Sequence, residues 1–223
     1  MGIDYPRMIR VTIRSEELST RGDVIPIVRT VYQQKLAAAV AEFIASHKAI
    51  ENAEKAHEKE RSEALVMLAK IEQAYIEART AMAIFIEDLA LPKALSTLST
   101  ATDKRDAIAS MWEILDAHDD EPGWAKDLTD GQLGALAVET IREITEWIAA
   151  DGNLEKAVRD RAAAYAAAYP RFLELRAQVK ASYGKSSVHY RRLVIRSNGK
   201  LVVDDPTDAD TDVVDPTGGP TEG

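Results

Sequence analysis

The chain contains no cysteine. That excludes disulfides, thiolate nucleophiles and cysteine-ligated zinc or iron–sulfur centres. Aromatic residues make up only 6%, and alanine does much of the filling, a balance that favours helices over sheets. Long apolar runs are also missing. The longest, AMAIFI at 81–86 and ALVML at 64–68, are short and flanked by charge, against the ~18 apolar residues that a membrane span requires. The N-terminal MGIDYPRMIR carries no apolar signal core. No membrane association is therefore expected, and the default location is cytoplasmic.

The motifs of several chemistries are absent as well. There is no G-x-S-x-G elbow, no glycine-rich phosphate loop and no H-E-x-x-H. His118 and His189 stand in separate elements, and neither has a glutamate three residues before it. The expectation is a non-enzyme with no catalytic residue and no cofactor; an enzyme built from scattered residues is the minor alternative. RGD at 21–23 reads as a chance tripeptide in a turn. DAHDDE at 116–121 reads as a surface loop, because consecutive ligands rarely converge on one ion. Asp208-x-Asp210-x-Asp212 opens like a calcium loop. Val213 then stands where that loop needs glycine, and Gly219 where it needs glutamate.

What is present begins with length. At 223 residues the chain suits one domain with a real core. Its net charge of −9 is uneven. Residues 204–223 hold six aspartates and Glu222 with no lysine or arginine, a local −7; taking that from −9 leaves −2 for residues 1–203. The acidity belongs to a tail, expected to be flexible because its apolar content cannot offset ordering entropy.

Residues 8–14, MIRVTIR, alternate apolar and polar and predict a half-buried strand. Pro26 and Pro92 then bracket 65 residues without glycine or proline. Alternate steps of four and three from Leu36 to Leu89 keep one heptad phase throughout, predicting a long helix over 28–90. Shorter helices are expected at 103–117, with Asp103 as cap, and at 130–150, opened by a Thr129-x-x-Gln132 capping box. Asp151-Gly152-Asn153 reads as a tight connection to a helix over 153–183, which Pro170 should kink or divide and Gly184 should stop. Asn198-Gly199 between β-rich runs predicts a hairpin over 188–203. The fold class expected is mainly α, with a small antiparallel sheet formed by the N-terminal strand and that hairpin.

Two places invite function. The stretch HKAIENAEKAH at 47–57 puts His47, Glu54 and His57 on one helical stripe. Bundle-core di-metal proteins need such Glu-x-x-His motifs from two helices plus further glutamates, and one motif is too few. Residues 46–63 hold five glutamates and four Lys/Arg, which favours a solvated helix or a loosely covered mid-section laced with i,i+3 and i,i+4 pairs; a buried polar layer that fixes partner register is the lesser alternative, and no metal is expected. The predicted sheet would stack Arg10 and Arg14 with Tyr190, Arg192, Arg196 and Lys200, a basic face suited to phosphate or to an acidic protein segment. Lys/Arg-rich sheet faces also occur simply to discourage edge pairing. RAAAYAAAY at 161–169 suggests close internal helix packing around Tyr165 and Tyr169, with a contact between subunits as the alternative.

The reading that best joins these features is a non-catalytic structural or assembly protein. It would act through protein partners, as a homo-oligomer or part of a larger assembly. The Ala-, Asp- and Arg-rich style suits a high-GC bacterium or its phage, where a virion, scaffold or tail component is the expected setting. A nucleic-acid-associated accessory protein using the basic face comes second, and a metal-dependent helical enzyme using the His47–His57 stripe third.

Overall fold

The structure is a computed structural model. It describes residues 4–118 and 123–194, together with the backbone of 196–197 and 200–201. The tail at 204–223, with its Asp208–Asp212 pattern, and residues 119–122 of the DAHDDE run lie outside the described residues.

The first element overturns the strand expected at 8–14. Residues Tyr5–Thr20 form helix α1. Asp4 caps it by accepting from the Arg7 backbone N–H at 2.9 Å, and a proline stands in the first turn, where its missing N–H has no cost. The buried residues are Met8, Val11, Thr12, Ser15 and Leu18, a helical period that the alternation of Ile9, Val11 and Ile13 mimicked over a short window. The two buried hydroxyls are satisfied inside the helix: Thr12 Oγ1 donates to the Ile9 carbonyl and Ser15 Oγ to that of Val11, each at 2.7 Å.

The chain then runs as helix without interruption through α2 (Pro26–Val31), a π-helical segment (Tyr32–Leu36) and α3 (Ala37–Phe85). The long helix expected from the heptad phase over 28–90 is present but ends at Phe85, with Asp88 at a positive φ of 57° in the turn that follows, and no turn interrupts 46–63. The π segment has a sequence cause. Val28, Tyr32, Leu36 and Val40 are all buried at successive spacings of four, which would drift off one face of a regular α-helix; a wider i→i+5 turn keeps them aligned.

A 3₁₀ turn (Leu95–Thr97) leads to α4 (Ala101–Asp116). Its cap is Thr100, whose hydroxyl accepts from the Asp103 N–H, so the expected capping residue lies one turn inside. Helix α5 (Trp124–Thr129) and then α6 (Gln132–Tyr183) follow. Thr129 therefore ends one helix instead of opening the next. Residues 151–153 are helical, so the two helices expected at 130–150 and 153–183 are one, and it continues through Pro170. Gly184, at φ 79°, stops it as expected. Helix α7 (Val188–Leu193) takes most of the first strand of the expected hairpin. Among the described residues, all that remains of the sheet is a two-residue ladder pairing β1 (Arg196–Ser197) with β2 (Lys200–Leu201). The small antiparallel sheet of terminal strand and hairpin is not formed, because both of its main contributors are helical. No helix among the described residues is long and apolar enough to cross a membrane.

Packing divides the chain into two compact units, 1–45 with 162–223 and 46–161. The core of the first gathers Met8, Leu18, Leu36, Phe43, Phe172, Leu175 and Val179. Around Phe43, Tyr5 meets Tyr165 edge-on at 5.3 Å and Tyr165 stacks on Tyr169 at 5.6 Å. Of the alanine-rich stretch, Ala164 and Ala168 are buried in this core, while Ala162, Ala163, Ala166 and Ala167 are exposed. The core of the second unit gathers Ile71, Tyr75, Met82, Ile108, Met111, Leu115 and Ile144. Here the Tyr75 hydroxyl donates to the Lys93 carbonyl at 2.7 Å and Arg79 Nε to that of Pro92 at 2.7 Å. These two bonds tie the connection after α3 back onto the helix.

Candidate functional site

The sheet expected to carry the basic residues is not formed, and Arg10, Arg14 and Arg192 stand on two helices instead. On α1, Arg10 and Arg14 are four residues apart on the exposed side of a helix whose other side packs into the core. Helix α7 packs against α1 and presents Arg191 and Arg192, both exposed. Arg14 Nη1 donates to the Arg192 carbonyl at 3.4 Å, which brings the arginine of α1 onto the end of α7. Among the described residues no carboxylate lies within ion-pair distance of these four guanidiniums. Their neighbours behave differently: Arg7 pairs with Asp4 at 3.2 Å and Arg21 with Asp23 at 2.9 Å. Two apolar side chains stand among the arginines. Ile13, three residues from Arg10, is 45% exposed, and Val188, three and four residues from Arg191 and Arg192, is 63% exposed.

Tyr190 does not belong to this face. It is only 5% exposed and packs in the core of the unit, with its backbone N–H donating to the Ser187 cap. Arg196 and Lys200 enter the two-residue ladder, in which Arg196 is opposite Leu201 and Lys200 opposite Ser197; their side chains lie outside the described residues.

RGD resolves as a structural turn. Arg21 grips Asp23 through two hydrogen bonds of 2.9 and 3.0 Å, and that guanidinium holds the Asp23 carboxyl down at about 2. Asp23 also lies 3.7 Å from His189 Nε2. The His189 ring packs on Tyr183 at 4.5 Å, and the Tyr183 hydroxyl accepts from the Ile25 N–H at 2.7 Å. This joint between the α1–α2 turn and the end of α6 was not legible in the sequence, since its members are about 160 residues apart. It anchors the elements that present the arginines.

The His47–His57 stripe does not assemble a metal site. Ten residues of helix separate the two rings by ~15 Å, beyond the reach of a shared ion. His47 Nε2 lies 3.9 Å from Glu51, one turn along its own helix. Glu54 is exposed. His57 is loosely covered: its Nε2 accepts from Trp147 Nε1–H at 3.3 Å and lies 3.5 Å from Asp151 Oδ1. The polar middle of α3 has therefore found a partner in α6 within the second unit. No protein-family model matches this chain, and neither a curated protein nor a solved structure does.

Proposed function

We propose that the chain is a non-catalytic assembly protein that engages an acidic protein segment through the α1–α7 face. The observation that carries this reading is the set of four exposed guanidiniums, Arg10, Arg14, Arg191 and Arg192, with no carboxylate partner among the described residues. The chain itself contains a segment of matching chemistry. Residues 204–223 carry −7, and Val213-Val214 lies between Asp212 and Asp215.

Magnitudes say why both features are needed. Exposed ion pairs contribute about 0.2–1 kcal/mol each, so four give at most about 4 kcal/mol, a millimolar contact. Seating one valine against Ile13 or Val188 adds about 1.5 kcal/mol or more and brings the contact into a useful range. The occupant proposed is residues 204–223 of another copy, which makes the chain a homo-oligomer or a repeating component of a larger assembly, such as a virion, scaffold or tail.

The test is mass in solution by light scattering, for the native chain, for Arg10→Glu/Arg14→Glu, for Arg191→Glu/Arg192→Glu and for a chain ending at residue 203. The native chain should be an oligomer that dissociates as salt rises, and each variant should move towards the monomer mass. A native monomer, or an oligomer that all three changes leave intact, sinks the reading. Duplex DNA captured at low salt and lost in the arginine variants would transfer the face to the nucleic-acid alternative.

A further inference from the structure

Helices α3 and α6 bring together three carboxylates that no sequence motif joins. One carboxylate oxygen each from Glu60, Glu143 and Glu146 lie within 4.8 Å of one another, all inside the second unit. Glu143 is 8% exposed, and Glu60 is largely covered. The outer side of the cluster is held by cations. Lys59 Nζ is 2.9 Å from Glu60 Oε1, and Arg142 pairs with both Glu143 Oε1 and Glu146 Oε1. A second and independent feature is what remains inside: Glu60 Oε2 and Glu143 Oε2 are both buried with no hydrogen-bond partner, as is the hydroxyl of Thr140, one turn before Glu143.

That arrangement is costly as it stands. A buried carboxylate oxygen without a donor forfeits its hydration, and like charges at this distance repel. Lys59 and Arg142 offset two of the three negative charges and supply no donor to either inner oxygen. We propose that Glu60, Glu143 and Glu146 bind one hard divalent cation, of the Mn²⁺, Ca²⁺ or Mg²⁺ class, clamping α3 to α6. The ligand set is all carboxylate, which suits hard cations over zinc or copper. Oxygens bonded to one such ion at about 2.1–2.4 Å stand no more than about 4.8 Å apart, and the three carboxylate oxygens all lie within that distance of one another. Three monodentate ligands would leave remaining positions to water, and Glu143 also lines an open cleft with Ser62, Glu63 and Lys70 through which an ion can enter. Lys59 is shared with Glu63 at 3.2 Å, so the three ligands and Glu63 keep a net −2 after Lys59 and Arg142; affinity should be moderate, and the role is a structural clamp in a unit whose apolar seam is interrupted by polar residues there.

The probe is Mn²⁺ added to the full-length chain, with binding followed by calorimetry and by the paramagnetic resonance signal of free Mn²⁺. One saturable site per chain is expected, displaced by Ca²⁺ and accompanied by a rise in melting temperature. Glu146→Gln changes a partly exposed residue and should fold normally; it and Glu60→Gln should each weaken that site about tenfold or more, with far-UV circular dichroism unchanged. Asp212→Asn/Asp215→Asn, in the acidic tail, should leave it intact. Absence of saturable binding in the native chain overturns the proposal. So does a site that survives both glutamate variants or disappears with the tail substitutions.

Discussion

Two glycines on α6 should respond to alanine with opposite signs, and together they test whether that helix is continuous. At Gly152 the φ angle is not positive, and an added Cβ meets nothing within 4 Å. Alanine there restricts the unfolded chain and leaves the native backbone unstrained. The expected gain is about 0.5–1 kcal/mol. At Gly134, three residues into the same helix, an added Cβ overlaps the Thr129 carbonyl oxygen and lies 3.1 Å from Trp112 Cη2. The α5–α6 junction would have to open, at about 1–3 kcal/mol. Thermal unfolding read by circular dichroism separates the two, since 1 kcal/mol moves the midpoint by roughly 2–4 °C in a chain of this size. Gly152→Ala should melt higher and Gly134→Ala lower. If Gly152→Ala instead destabilises, residues 151–153 form the tight turn that their Asp-Gly-Asn composition suggests, and the continuous helix is refuted.

The buried Tyr75 hydroxyl should show itself in a pH-dependent comparison. Burial raises it to about 12, so its folded value lies above the unfolded one near 10. Its contribution is complete below pH 10 and is lost as pH rises from there towards 12. Tyr75→Phe should cost about 1 kcal/mol at neutral pH through the lost bond to the Lys93 carbonyl. By about pH 11 the native chain gives up roughly 1.4 kcal/mol and the two should unfold at similar urea concentrations; a constant gap at both pH values contradicts burial of the hydroxyl. On the polar stretch of α3, Glu54→Ala should be nearly silent, within about 0.5 kcal/mol. His57→Ala should cost about 0.5–1.5 kcal/mol by orphaning Trp147 N–H, and equal effects would return His57 to solvent. The Asp23 carboxyl, held low by Arg21, contributes stability above its unfolded value near 3.8 that is lost as pH falls towards 2. Asp23→Asn should flatten that part of the acid unfolding profile, and an unchanged profile would show the Arg21 pair to be worthless. Removing the Phe172 ring, fully buried in the first unit, should cost about 3–5 kcal/mol by denaturant unfolding, and a loss under 1 kcal/mol would show that site to be loosely packed.

Sequence alone determined the long helix. Sixty-five residues without glycine or proline, repeating at 3.5, have no other regular structure that buries Leu36, Val40 and Phe43 in one core and Ile71, Tyr75 and Met82 in the other. It also determined the stop at Gly184 and the clustering of acid at 204–223. Tertiary structure decided the rest wherever a local pattern was too short to have a unique period. Seven alternating residues at 8–14 satisfy a strand, yet Asp4 as cap and burial of Met8, Thr12 and Ser15 one and two turns apart make them helix. Asp-Gly-Asn is a turn by composition, and helix on both sides carries the backbone straight through it. The same holds for the sites. Arg10, Arg14 and Arg192 were legible as one basic face, but the expected sheet did not supply it; the packing of α7 on α1 set the arginines near one another and drew Tyr190 inside. The stripe search found His47, Glu54 and His57 because it followed one helix. The carboxylates that do converge come from two helices separated by about eighty residues, and sequence spacing carries no information about contacts between helices that close only on folding.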